Sequence, residues 1–298
     1  MPRPNIVVVG SSNTDFTIHL KRIPRVGETV LGGEFMTAAG GKGANQAVAA
    51  ARAGGAVCFI ARVGQDSLGD EAIAGFVREG IDVTHVQHDR RSASGAALIF
   101  VSRTGENSIA VAGGANNRLT PADVRKARAV LAQAKVVLMQ LETPLEAIDA
   151  AARFAASKGA VVILNPAPAR SLPNGILQHL SILTPNESEA ELLTGIRLHS
   201  FAATERAVRK LLRRGVPTVV LTMGKKGALI ATENGVELIP GFVVKAIDTT
   251  AAGDVFNGAL GPHRRAPSQP SGALCQCGSG YLGDLPRRAA LRTAAAVY

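Results

Sequence analysis

Val136-Val-Leu-Met139-Gln-Leu-Glu142-Thr-Pro-Leu145 leads through Glu-Ala-Ile-Asp-Ala-Ala-Ala-Arg-Phe-Ala-Ala-Ser157 to Val161-Val-Ile-Leu164. Two short runs, apolar at every position, flank a stretch with helical period, which reads as a β–α–β unit. Strands without polar alternation are expected to be buried on both faces, as in a parallel sheet covered by helices. Working outward, Val7-Val-Val9, Cys58-Phe-Ile60, Ala97 to Val101, Ser181-Ile-Leu183 and Thr218 to Leu221 read as further strands. Asn45 to Arg52 and Ala202 to Arg213 read as helices. The expected fold class is α/β, with a mainly parallel central sheet, helices on both faces, and ligands at the carboxyl ends of strands. Residues 11–37 and 90–112 break the alternation and read as antiparallel segments of a small accessory sheet.

The chain has 298 residues, 46% hydrophobic and 19% charged, enough to bury a sizeable core. No run of about eighteen apolar residues is present, so no membrane span is expected. The segment Met1-Pro-Arg-Pro-Asn5 lacks a signal-peptide pattern, which makes a cytoplasmic protein the expectation. The three cysteines and six histidines show no ligand spacing, so no zinc site is expected. A net charge of +10 raises the question of nucleic acid. With no Trp, two Tyr and no aromatic–basic interleaving, a face that attracts anionic nucleotides is the better reading.

The P-loop and dinucleotide-binding glycine motifs are absent. Gly10-Ser-Ser-Asn13-Thr-Asp15 follows the first strand and offers hydrogen bonds to sugar hydroxyls, or else forms a self-satisfied Asx turn. Gly40-Gly41-Lys42-Gly43-Ala44-Asn45-Gln46 opens an Ala-rich helix. There Lys42 and Asn45 could meet an anion or a polyol, though a glycine pair also serves as a plain turn. Asp248-Thr249-Thr250-Ala251-Ala252-Gly253-Asp254 reads as a tight turn into a helix. Its free N–H groups and dipole suit charge on a transferring phosphoryl group, and Asp254 suits a general base or, more plainly, an N-cap.

In this order, with Met139-Gln-Leu-Glu142, Asn165-Pro-Ala-Pro-Ala-Arg170, Thr184-Pro-Asn186-Glu187-Ser-Glu189 and Thr222-Met-Gly224, these motifs resemble the PfkB-type carbohydrate kinases, and the ribokinase group among them, from residue 5 to about 260. The resemblance implies a sugar kinase domain over 1–260, with the irregular segments as a β lid that also forms a homodimer contact. It implies ATP-dependent phosphorylation of D-ribose at the 5-hydroxyl. Asn13, Asp15, Gly41, Lys42, Asn45 and Glu142 would hold the sugar, and Asp254 would be the base. Ala251, Ala252 and Gly253 would form the anion hole. Asn186, Thr222 and Gly224 would border the nucleotide. Asn186 and Glu189 would act on Mg²⁺ through water, and Asp248 with Thr250 would begin a K⁺ loop.

From Gly261 the character changes to a basic, Pro/Gly/Arg-rich tail over 261–298, where the resemblance implies two more helices. The tail is either a natural divergence or a one-base shift of reading frame. Reading Leu274 to Leu282 out of frame admits an alanine-rich helix, which favours the shift. A catalytically impaired sugar- or nucleotide-binding protein, or a kinase for another sugar or nucleoside, is therefore the alternative expectation.

Overall fold

The computed structural model describes residues 4–241 and 249–261. Its main sheet has nine strands. Across the sheet they run Gly235–Ile239, Ala228–Thr232, Thr218–Thr222, Ile182–Leu183, Val161–Leu164, Val136–Met139, Ile6–Val9, Val57–Gly64 and Asp82–Asp89. Every pairing from Thr218–Thr222 to Asp82–Asp89 is parallel. The hairpin Ala228–Thr232/Gly235–Ile239 adds the antiparallel pairings at one edge.

Successive strand residues point to opposite faces, and the core divides accordingly. Val7, Val9, Cys58, Ile60, Val137, Met139, Val162 and Leu164 belong to one buried cluster. Ile6, Val8, Phe59, Leu138 and Ile163 belong to the other. The helix Leu145–Ser157 covers the first face through Ala147, Ile148, Ala151, Ala152 and Ala155, a stripe at helical spacing. The helices Lys42–Arg52 and Ala252–Leu260 lie on the second face with Ala44, Ala47, Ala50, Phe256 and Leu260. These two helices pack very closely: a Cβ added at Gly258 would sit 2.5 Å from Ala49 Cβ and 2.6 Å from the Gln46 carbonyl.

The irregular segments form a second, four-stranded sheet, ordered Glu34–Gly40, Asn13–Leu20, Gly95–Ser102 and Asn107–Ala112. Its outer pairings are antiparallel, but the central one, Asn13–Leu20 with Gly95–Ser102, is parallel. That corrects the wholly antiparallel expectation. The two strands come from separate crossings of the chain rather than from one hairpin, so their relative direction is not set by a turn. The strand Asp82–Asp89 and the edge hairpin were not anticipated. Asp82–Asp89 carries His, Gln, Thr and Asp, and only Val86 and Asp89 are buried, so it lacks the apolar run of a central strand.

From Ile6–Val9 the chain moves first to Val57–Gly64 on one side and later to Val136–Met139 on the other. This reversal opens a crevice beyond the carboxyl ends of Ile6–Val9 and Val136–Met139. Residues 10–15 and 140–142 are placed there by connectivity. The tail from residue 262 onward lies outside the described residues.

Candidate active site

The glycines at the crevice allow backbone to approach backbone. A Cβ at Gly41, which has φ +89°, would lie 2.7 Å from the Asn13 nitrogen, and one at Gly43 would lie 2.4 Å from the Ser11 nitrogen. The start of the helix Lys42–Arg52 is thereby seated on the loop that follows the first strand. Glu142 ties the two together, its Oε2 accepting from the Ser11 hydroxyl and, at 2.9 Å, from the Lys42 N–H.

Asn13 and Asp15 are two apart on the strand Asn13–Leu20 and so share a face. They stand in the second sheet rather than in a turn. Asn116 fixes the Asn13 amide: its Nδ2 donates to Asn13 Oδ1 at 2.7 Å, while its Oδ1 accepts from the Ser12 N–H at 2.9 Å. Asn13 therefore presents its NH₂ as the unengaged end. The Asp15 carboxyl is raised above its ordinary range, first by burial and then by the nearby Glu142 carboxylate. Asp15 and Glu142 are thus close enough for their charges to interact.

Asp254 is buried, in the first turn of the helix Ala252–Leu260. Its Oδ2 accepts from Asn45 Nδ2 at 3.1 Å and its Oδ1 from Gln46 Nε2 at 3.0 Å. Burial pushes its pKa up, while Lys42, Gln46 and Asn45 oppose the rise and Glu142 adds to it. Ala251 turns the chain through a left-handed conformation at φ 57°, and the Ala252 N–H closes on the Thr249 carbonyl. Ala252 and Gly253 are exposed, and a Cβ at Gly253 would meet nothing within 4 Å. The helix start is therefore open above a buried carboxylate. By position, first-turn amides lack acceptors within their own helix.

Asn186 and Glu189 form a capping box: Asn186 Oδ1 accepts from the Glu189 N–H at 2.8 Å and the Asn186 N–H donates to Glu189 Oε2 at 2.9 Å. Local structure alone accounts for this pair of residue types. Glu189 is also buried, and its carboxyl is raised, first by burial, with Asp254 adding to the rise and Lys42 opposing it. Glu189 and Asp254 are thus close enough for their charges to interact. Asn186 forms a bridge with Thr222, placing the ends of Ile182–Leu183 and Thr218–Thr222 side by side. Gly224 follows, exposed, with φ 54° and open space around it. Thr250 is exposed in the turn before Ala251. Asp248, the other expected K⁺ ligand, lies outside the described residues.

The expected residues that the structure brings together are Lys42, Asn45, Glu142, Glu189 and Asp254, with Asp15 beside Glu142. The sequence reading assigned no role to an inner layer beneath them. Gln46, Gln140, Asn165, Thr184 and Asn257 are all buried and hydrogen-bonded in series below Asp254. Their one signal in the sequence is polarity where apolar residues are due: Gln140 sits between Met139 and Leu141, and Gln46 lies on the Ala-lined face of its helix.

Residues 3–269 match the family described as pfkB family carbohydrate kinase. The chain belongs to that family. Among curated relatives, a ribokinase of Haemophilus influenzae is 44% identical over 258 residues, 87% of this chain and 84% of the relative. A deoxyribokinase of Salmonella typhi is 38% identical over 257 residues, 86% of this chain and 84% of the relative. The structure of Arabidopsis thaliana ribokinase complexed with ribose and ATP superposes with a TM-score of 0.81 at 30% identity, covering 98% of this chain and 90% of that one. As a ribokinase-like member of the pfkB family, the protein is a sugar kinase, a phosphotransferase. No helix among the described residues is long and apolar enough to cross a membrane.

Proposed function

We propose that the protein transfers the γ-phosphoryl group of ATP to the 5-hydroxyl of D-ribose, with Asp254 as general base. The supporting observation is the buried Asp254 carboxylate in the first turn of a helix whose start is open, beside Asn45, Lys42 and Glu142. Asn13, Asp15, Gly41, Lys42, Asn45 and Glu142 bind the sugar. The Asn13 NH₂ donates, while Asp15 and the second Glu142 oxygen accept from hydroxyls. Asp254 takes the hydroxyl proton as the sugar oxygen bonds to the γ-phosphorus and ADP departs with the electrons of the broken P–O bond. The amides of Ala251 and Gly253, with that of Ala252 once it turns from the Thr249 carbonyl, meet the charge on the phosphoryl oxygens. Asn186, Thr222 and Gly224 line the nucleotide side.

Mg²⁺ fits the donor set only through water. Among the described residues no cluster of three His, Cys, Asp or Glu side chains forms a cage, and Glu189 with Asn186 offers a single carboxylate and an amide. A water-linked ion there would suit this small, strongly hydrated cation and would neutralise phosphate charge. K⁺ would be held by the turn containing Thr250 together with Asp248. The second sheet would serve as a lid and as the contact of a cytoplasmic homodimer, its exposed Phe35, Met36, Leu98, Ile109 and Val111 being the apolar surface available.

The deoxyribokinase relative makes deoxyribose the competing substrate. ADP release with ribose, deoxyribose, fructose and adenosine, each with ATP, Mg²⁺ and K⁺, tests the reading. Ribose is expected to give the highest kcat/KM. A chain that gains thermal stability with ribose yet releases no ADP, while a version with the reading frame restored beyond Leu260 turns over, assigns the deficit to the tail. Equal activity of the parent and Asp254→Asn removes Asp254 as the base.

A further inference from the structure

Gln46 is fully buried, and both ends of its side-chain amide are engaged. Its Nε2 donates to Asp254 Oδ1 at 3.0 Å and to Asn165 Oδ1 at 3.2 Å. Its Oε1 accepts from Gln140 Nε2 at 2.6 Å. The polarity of this chain follows from its end: an ionised carboxylate only accepts, so Gln46 must turn its NH₂ toward Asp254. Its carbonyl oxygen then faces Gln140, which must donate. Space for Gln140 is itself provided by the chain, because a Cβ at residue 10 would lie 2.1 Å from Gln140 Oε1. The other branch runs from Asn165 Nδ2 to the Thr184 carbonyl, from the Thr184 hydroxyl to Asn257 Oδ1, and from Asn257 Nδ2 to the Gly253 carbonyl at 2.8 Å. One network thus holds the Asp254 carboxylate and also the first turn of its helix.

Resting on the reading of Asp254 as the base, we infer that Gln46 is a positioning residue that orients Asp254 through Oδ1 and leaves Oδ2, beside Asn45, as the oxygen that receives the sugar proton. Asn45 lies at the half-buried mouth, where a sugar hydroxyl can take its place. Gln46 lies beneath and has no access to substrate. A donor on Oδ1 favours the ionised form of a carboxylate that burial disfavours. The other charged groups facing Asp254 are Lys42, Glu142 and Glu189. None of them hydrogen-bonds it.

The test is a ¹³C-carboxyl NMR titration of aspartate-labelled protein, with the Asp254 signal identified by its loss in Asp254→Asn. In Gln46→Met, which keeps length and removes the amide, Asp254 is expected to titrate about one pH unit higher, the size of a lost charge-assisted hydrogen bond. Gln140→Met leaves Asp254 untouched but removes the donor that polarises the Gln46 amide and so weakens its bond to Asp254; a smaller shift in the same direction is expected. The acidic limb of kcat should move with the titration while KM for the sugar holds within about threefold, since a positioning residue acts on chemistry rather than on ground-state binding. An Asp254 titration identical in the parent and in folded Gln46→Met overturns the inference. If Gln46→Met does not fold, an unshifted Gln140→Met does so. A shifted titration in a protein whose Asp254→Asn form still turns over keeps the orientation and rejects Asp254 as the base.

Discussion

Two parts of the molecule bury aspartates by opposite means. On the far side of the first strand, Asp89 and Asp123 share the guanidinium of Arg62, with contacts of 2.7 and 2.9 Å, and Arg118 adds a longer one of 3.4 Å to Asp89. The Arg62 hydrogen bond and the Arg91 N–H hold the Asp89 carboxyl at about 2. Asp123 is lowered as well: although burial is its largest influence, the Thr120 and Arg62 contacts outweigh it. Asp254 is similarly shielded from solvent but more deeply enclosed by protein; it is held by the neutral amides of Asn45 and Gln46, and burial above all raises its pKa. A carboxylate paired with arginine is a poor proton acceptor and a good brace. One held by amides keeps its geometry and stays basic. The difference separates a structural aspartate from one fit to take a proton.

Neutralising each centre separates the two roles. Asp254→Asn is expected to lower kcat by roughly 10²- to 10⁴-fold without lowering the melting temperature, because the ionised carboxylate is a burial cost at neutral pH. A fall in stability that accounts for the lost activity would erase the distinction. Arg62→Met should do the reverse, costing about 3 kcal/mol by removing the cation that two buried carboxylates share while Asp89 keeps Arg118 and Asp123 keeps Lys126, with sugar KM unchanged in whatever remains folded. Urea denaturation with activity measured in parallel reads both.

The two centres also respond oppositely to pH. Asp89 is depressed in the folded state, so the stability it contributes is present above its ordinary value of 3.8 and is lost as pH falls toward about 2. Asp254 is raised, so its contribution is present below 3.8 and is lost as pH rises through its folded value. The acidic limb of kcat should therefore lie above the acid-unfolding transition that Asp89 contributes to. A kcat profile and a stability profile that fall together would contradict the assignment. The smallest expected effect is Asn116→Ala. It releases Asn13 from its fixed amide orientation and should raise sugar KM by about tenfold, the loss of roughly one hydrogen bond's orientation, with kcat nearly unchanged.

Much of the fold was legible because burial on both faces writes itself as uninterrupted apolar runs. Val136–Met139 and Val161–Leu164 form where they were expected, as does the helix Leu145–Ser157 between them. The polar edge strand Asp82–Asp89 was not legible, since an edge needs no apolar run. Of the site, the glycine-rich start at Gly41 and the turn into Asp254 could be read, because close backbone approach and a helix N-terminus constrain residue type locally. Gln46 and Gln140 could not: a glutamine among alanines says that something polar is buried, not which group it meets.

The α/β layering, the glycine-rich helix starts and the family they mark can be read from neighbouring residues alone. These depend on periodicity and on local steric demands, which adjacent residues carry. Only the tertiary structure decided that Gln46, 208 positions from Asp254 in sequence, is its partner, and that Arg62 rather than any residue of the site pairs with Asp89. Such pairings arise where two helices cross at Gly258 and where strands meet side by side. They set proton affinity through distance and burial, quantities that exist only once the chain has closed on itself.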